Sequence, residues 1–306
     1  MQLVGVGGCR RRRSVLSVTD TYQLADRLVR RIGFGAMQLP GRGVFGPPRD
    51  REEALRVLRL AVEGGVNHID TAQFYGPGVS NQLICEALHP YPADLAIVSK
   101  VGTRRDGDGG WVPAQTPAEL RADVEENLRT LRVDRLTAVN LRRMDEHEGE
   151  LVAAVPLEDQ LAELVMLREE GKIAGVGVST VTGEQVATAI ELADIVCVQN
   201  PFSMVDQHDA DVLDQCTAAG VAYVPYFPLG SAFPHMPKVT EQPTVQQVAS
   251  RLGVLPSQVG LAWLLARADN VLLIPGTSST AHLADNLAAA DITLSAENLA
   301  ELNGTA

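Results

Sequence analysis

REEALRVLRLAVEGGVNHID, residues 51–70, holds two textures side by side: an amphipathic stretch of helical period, then the short apolar run VNHID that ends in a carboxylate. The same alternation extends in both directions. Apolar runs recur as GFGAMQL (33–39), VNHID (66–70), LAIVSK (95–100), LTAVNL (136–141), IAGVGVS (173–179), IVCVQN (195–200), VAYVPYF (221–227) and VLLIPG (271–276). Between them lie segments of helical period such as AELRADVEENLRTL (118–131) and LEDQLAELVMLREEGK (157–172), and SSTAHLADNLAAA (278–290) follows the last run. Near-continuous apolar strands signal a parallel sheet buried on both faces, and repeated strand–helix units signal α/β. Eight such units predict a (β/α)8 TIM barrel. An open doubly wound sheet is the alternative, but no GxGxxG opens a helix after the first strand. GVGGC (5–9) imitates that motif in the wrong context.

Composition narrows the partners. The 306 residues carry a formal charge of −12, so the whole-molecule field repels nucleic acid and anionic membranes, and the expected partner is a small molecule. No apolar stretch approaches the ~20 residues of a membrane span. Cys9, Cys85, Cys197 and Cys216 are scattered without metal-ligand spacing, which predicts neither a disulfide framework nor a zinc site and fits a reducing cytoplasm. Residues 1–27, with Arg10 to Arg13 in a row, are expected to be a basic disordered extension, and 28–306 the barrel. The apolar segment after the arginines is too short and too broken for an export signal. No heptad run specifies an oligomer; monomer and homo-oligomer both stay open.

A barrel of this kind places its chemistry at the carboxyl ends of the strands. There the second, third and fourth runs supply Asp70, with Tyr75 five residues on, then Lys100, then Arg142. A buried lysine loses its charge unless a carboxylate offsets the desolvation, the part expected of Asp70. A cationic Lys100 beside the Tyr75 hydroxyl is then expected to lower the phenol pKa from about 10 toward the range of a general acid or base. Each residue alone has a bland reading as a cap, a rim aromatic or a surface charge. Arg142 has one too, pointing away to pair with Asp145 or Glu146.

The motifs GVNHIDTAQFYG (65–76), VSK (98–100), LREEGKIAGVGVS (167–179), VQNPFS (198–203), YFPLGS (226–231) and IPGTSS (274–279), in this order, resemble the aldo-keto reductases over about residues 28–300. GVFGPPRDREEAL (43–55) is similar to an actinobacterial-looking branch. The resemblance implies a (β/α)8 barrel that binds extended NADP(H), with NADH possible, and passes hydride to an aldehyde or ketone. Asp70, Tyr75 and Lys100 match three members of the family's catalytic tetrad, with Tyr75 the proton donor. Where the family usually has histidine, this chain has Arg142, which donates hydrogen bonds but never neutralises, so it cannot relay a proton. It can still serve as an oxyanion donor or a fork for a substrate anion.

By the same resemblance, Ser179, Thr180 and Gln199 face the nicotinamide carboxamide and Tyr226 stacks on its ring. Thr180 stands where asparagine is common. Leu229, Gly230 and Ser231 match the pyrophosphate loop, and Gly276, Thr277, Ser278, Ser279 and His282 the lip around the 2′-phosphate, here without Lys or Arg. Hydroxyls and first-turn amides are expected to hold that phosphate instead. Asp285 and Asn286 match the adenine side. The Gly-rich loop 102–115 is expected to overhang the site with Trp111 facing substrate or folded under its own loop, and segment 231–243 to fold over the cofactor. Phe74, Trp111, Phe202 and Arg142 are the pocket candidates. Three functions compete: a carbonyl reductase; an altered or redox-neutral activity (imine or enone reductase, epimerase) motivated by Arg142; and a nicotinamide-sensing binding subunit.

Overall fold

The computed structural model describes residues 21–147, 150–151, 155–230 and 237–304. Seven parallel strands lie in one curved sheet in chain order: β1 (Phe34–Gly35), β2 (His68–Asp70), β3 (Ala96–Val101), β4 (Leu136–Arg142), β5 (Ile173–Ser179), β6 (Cys197–Gln199) and β7 (Ala222–Tyr223). The eighth predicted run closes the ring through parallel bridges, Tyr223 with Val271 and Ile32 with Leu273. Leu273 N donates to Arg31 O and Gly33 N to Leu273 O, both at 2.7 Å. This last stave is short because Pro275 has no N–H to continue the ladder.

Helices α1 (Arg51–Glu63), α2 (Val79–Leu88), α3 (Pro117–Leu131), α4 (Leu157–Glu169), α5 (Gly183–Ala193) and α6 (Ala210–Ala219) each follow one strand. Two helices, α7 (Pro243–Leu252) and α8 (Pro256–Arg267), separate β7 from the closing segment, because Pro256 starts a new helix at its first position. The chain ends on α9 (Thr280–Ala288) and α10 (Ala296–Asn303). α1 buries Ala54, Leu55, Val57, Leu58 and Ala61, the stripe of its helical period, and Asp50 caps it by accepting from Glu53 N at 3.0 Å.

Three apolar layers result. The largest lies between strands and helices and holds Leu58, Val139, Leu164, Val176 and Trp263. Inside the ring, small residues fit the narrow lumen: Ala96, Ala138 and Ala222 meet Leu24 and Val29. Those last two come from an antiparallel hairpin, Thr21–Leu24 with Arg27–Arg30, that seats its apolar side chains against the barrel. A boundary at residue 28 therefore cuts through this hairpin, and residues 21–27 are ordered parts of it; residues 1–20, with the arginine run, lie outside the described residues. The third layer, Ala72, Phe74 and Tyr75 with Met37, Val44 and Trp111, lies at the carboxyl end. Among the described residues no single helix is long and apolar enough to cross a membrane.

Candidate active site at the carboxyl end of the barrel

Strand register brings the ionisable groups together. Asp70 pairs with Val98, and Lys100, two residues further along β3, points to the same face. Its ammonium forms an ion pair with Asp70 Oδ1 and donates to Thr71 O at 3.1 Å. Asp70 Oδ2 accepts from Gln199 Nε2 at 2.8 Å, so both carboxylate oxygens are occupied. Lys100 and Asp70 are only 5% and 2% exposed. Lys100 Nζ also lies 5.1 Å from the centre of the Tyr75 ring. Tyr75 is delivered by the turn after β2, where Tyr75 N donates to Ala72 O (3.1 Å) and Gly76 N to Val44 O (3.1 Å). Gly76 has φ +86°, and a Cβ there would stand 2.5 Å from Val79 Cβ, so this turn requires glycine.

Burial is the largest influence on Lys100 and acts to lower its pKa, but Asp70 and Tyr75 together outweigh it and hold the lysine above its ordinary value. On Tyr75 burial again dominates, now raising the phenol; Lys100 lowers it, Asp70 raises it further, and the net shift is upward. The expected lowering is thus reversed. Tyr75 is held as a neutral phenol next to a lysinium.

His68 is a member of this cluster that the sequence reading missed. It precedes Asp70 by two residues on β2, which puts it on the same face. The imidazole is buried, and its Nδ1 has no partner among the described residues. Burial first, with Lys100 reinforcing and Asp70 opposing, pushes its pKa down to about 4. It is therefore neutral when folded and protonated when unfolded below pH 6.5, so stability falls as pH drops through that window. Urea midpoints should show the wild type losing about 3 kcal/mol more than His68→Asn between pH 6.5 and pH 4. Parallel pH curves would remove His68 as the cause.

Arg142 ends β4 beside Gly102, whose φ is +100° and where a Cβ would meet Arg142 O at 2.5 Å. Its Nη1 donates to Thr103 Oγ1 at 3.1 Å, and its guanidinium lies 5.2 Å from the Trp111 ring centre. Asp145 is engaged instead by Arg143 Nη2 at 2.7 Å, so Arg142 lines the cavity. The loop after β3 folds into a small hairpin, Thr103–Arg105 with Trp111–Pro113. Arg105 stacks on Trp111 at 4.1 Å and ties it to the loop after β1 through Gly43 O (2.9 Å) and Val44 O (3.2 Å). Trp111 and Phe74 meet edge to face at 5.5 Å, and both line the cavity. Phe202 does not: it is 1% exposed, stacked on Trp263 at 6.2 Å and edge-on to Tyr223 at 5.9 Å, in the core behind the strands.

A cavity of about 750 Å³ runs from Tyr75 to α9, within the size range of small-molecule and cofactor sites. Ser179, Gln199, Tyr226, Leu229 and Gly230 line it, as do Gly276, Thr277, His282, Asp285 and Asn286. Gln38, Phe227 and Ser257 line it as well and were not singled out from the sequence. Because Gln199 turns its Nε2 to Asp70, its Oε1 is left buried with no hydrogen-bond partner among the described residues, open to an incoming N–H. Thr180 stands just outside the wall, its hydroxyl 3.4 Å from Tyr226 OH. It has φ +60°, a conformation that asparagine tolerates better than a β-branched residue.

The lip behaves differently from expectation. Ser278 and Ser279 do not line the cavity; Ser279 Oγ caps α9 by accepting from His282 N at 3.5 Å. Ser279 N donates to Thr277 Oγ1 (3.1 Å) and Thr280 N to Glu53 Oε1 (3.0 Å). The Thr280 and His282 amides of α9 are thus already used, and on this side the Thr277 and His282 residues line the cavity. Ser231 and segment 231–236 lie outside the described residues.

The family model for the aldo/keto reductase family matches residues 31–306. The chain belongs to the aldo/keto reductase family. This aldo/keto reductase is 49% identical over 286 residues to pyridoxine 4-dehydrogenase of Escherichia coli, covering 94% of this chain and 98% of that one. It is 37% identical over 287 residues to an uncharacterized oxidoreductase of Schizosaccharomyces pombe, covering 94% and 90%. Among solved structures, an aldo/keto reductase from Klebsiella pneumoniae in complex with NADP and acetate superimposes with a TM-score of 0.78 at 26% identity, over 93% of this chain and 94% of the other.

Proposed function

We propose that this aldo/keto reductase interconverts an aldehyde and its alcohol with NADP(H), Tyr75 giving the proton in reduction, and that pyridoxal is a substrate. The observation that carries the reading is the neutral Tyr75 phenol held against a buried, Asp70-paired Lys100 at the floor of a cavity that continues to α9. The pyridoxine 4-dehydrogenase relative supports the substrate, since oxidation of pyridoxine at its 4-hydroxymethyl group gives pyridoxal. The NADP-bound relative supports the cofactor.

The residues fit that cofactor. Gln199 Oε1 and the Ser179 hydroxyl would take the carboxamide, Tyr226 the nicotinamide ring, Leu229 and Gly230 the pyrophosphate, and Asp285 and Asn286 the adenine. When bound, NADPH supplies the hydride. Thr277 and His282 would meet the 2′-phosphate; with no Lys or Arg there, NADH is accepted as well, more weakly. Lys100 keeps the Tyr75 proton mobile, and the Phe74 and Trp111 walls exclude water from the carbonyl. Among the described residues Cys85, Cys197 and Cys216 are free and buried, which suits a reducing cytoplasm.

The test is to titrate the protein with NADPH and NADH by fluorescence quenching, then add pyridoxal and follow absorbance of the reduced cofactor. Saturable NADPH binding with turnover is the expected result. Tight NADPH binding without turnover of pyridoxal or a broad carbonyl panel would discard the reductase in favour of the redox-neutral or sensing alternatives.

A further inference from the structure

Arg142 is a cation beyond the Lys100–Asp70 pair at Tyr75, on whose phenol it has only a minor, lowering influence. Among the described residues the guanidinium donates one hydrogen bond, to Thr103 Oγ1, and no carboxylate pairs with it. The guanidinium lies 5.2 Å from the Trp111 ring centre, and that ring is itself held by Arg105 at 4.1 Å, so the group packs against a fixed wall. Its Nε and Nη2 carry further N–H donors with no recorded partner among the described residues, on a residue that lines the cavity with Tyr75 and Phe74. The net charge of −12 opposes anionic substrates at long range, so an anion that reaches this cavity must be held by a local cation.

A planar guanidinium presents two parallel N–H bonds to two coplanar oxygens. An aromatic aldehyde with an ionised hydroxyl ortho to the carbonyl offers two such oxygens on a flat ring that matches the Phe74 and Trp111 walls. We propose that Arg142 selects aromatic carbonyl substrates bearing an anionic oxygen ortho to the reacting group, gripping both oxygens with one guanidinium edge. This rests on the reductase reading above and deepens it; pyridoxal belongs to the class. An imidazole at this position would have at most one N–H on each ring nitrogen and could not form that fork. The carbonyl oxygen gains negative charge as hydride arrives, so its bond to Arg142 strengthens before Tyr75 protonates it. Thr103 is the positioning residue.

The experiment compares kcat/KM for 2-hydroxybenzaldehyde and 4-hydroxybenzaldehyde above both phenol pKa values, with 4-nitrobenzaldehyde as an uncharged reference. The wild type should prefer the ortho compound about ten- to hundredfold, the range of a charged hydrogen bond. Arg142→Met should bring that ratio close to one, with most of the change in KM, and Arg142→Lys, which keeps the charge and loses the fork, should fall between. Thr103→Val should lower the ratio without removing any charge, and it carries the test if Arg142→Met does not fold. Binding of the 2-hydroxybenzaldehyde and 4-hydroxybenzaldehyde anions themselves to the NADP⁺-saturated protein, followed by calorimetry, needs no reduction of the aldehyde. An unchanged ratio in every variant while 4-nitrobenzaldehyde is reduced overturns the inference and leaves the reductase reading intact. Aldehydes that are not reduced but bind with an Arg142-dependent preference for the ortho anion overturn the reductase reading and retain the fork. Equal binding of the two hydroxybenzaldehyde anions in the wild type overturns the fork.

Discussion

Tyr75→Phe lowers kcat for aldehyde reduction by about 10²- to 10⁴-fold, the usual worth of a positioned proton donor, and leaves NADPH affinity unchanged. The substitution deletes one oxygen and keeps the ring. The edge-to-face contact with Phe74 at 5.3 Å and the approach of Lys100 both survive, so the fold has no reason to respond. Because burial raises the phenol pKa, the wild-type reduction rate should hold a plateau from neutral pH into the alkaline range rather than fall from pH 7 upward. Stopped-flow reduction of pyridoxal by wild type and variant, with NADPH quenching titrations alongside, measures both. A variant that keeps its kcat, or loses only KM, would move proton donation to another group.

Asp70→Ala carries the second large effect, this time on stability. It leaves the Lys100 ammonium buried with Thr71 O and the Tyr75 hydroxyl as partners and no counter-ion, and breaking a buried pair on one side costs about 3–5 kcal/mol. The double variant Asp70→Ala/Lys100→Met removes both charges and should regain most of that loss while staying inactive. The pH responses differ: between pH 7 and pH 10 the pair's contribution in the wild type stays constant, while the stability of Asp70→Ala changes. In the wild type the lysine pKa is raised, so the pair's stabilisation is fully present below the ordinary lysine value of about 10.4 and is lost as pH climbs through the folded value. In Asp70→Ala, desolvation without a counter-ion lowers the Lys100 pKa, and relative stability improves as pH rises. Urea midpoints at pH 7 and pH 10 decide it. A single variant as stable as the wild type, or a double variant no better than the single one, would mean that the pair has little hold on the fold.

Much of this architecture is legible because parallel strands buried on both faces must be apolar throughout, while the helices covering them need only one apolar stripe. VNHID and LAIVSK announce themselves, and their terminal Asp70 and Lys100 stand out because charge is costly there. The hairpin at 21–30 was harder to see, since its short strands alternate Leu24 and Val29 with Arg27 and Arg30 and resemble the basic tail before them. Phe202 was misplaced because VQNPFS does not say which face of the irregular backbone after β6 meets α8. The direction of the Tyr75 shift depended on how deeply the ring is buried against Lys100, a balance between two opposed effects that residue identity alone does not strike. His68 carries no motif; only its register with Asp70 gives it away. The lip serines read as phosphate ligands until their neighbours are known: Ser279 is a helix cap, and Glu53, from the first helix, takes the amide beside it.

The join between Arg31 and the segment at 271–273 has a bearing on how the protein is made. Arg31 and Val271, which meet at this seam, are 240 positions apart, and the ladder that shuts the ring is the last to become available as the polypeptide emerges from its amino end. Until then β1 and β7 each present an unpaired edge, the kind that invites pairing with another chain. A copy in which that last ladder has not yet formed therefore exposes two edges at once, and whatever delays the pairing of 271–273 with 31–33 prolongs the exposure without altering a single contact in the finished molecule.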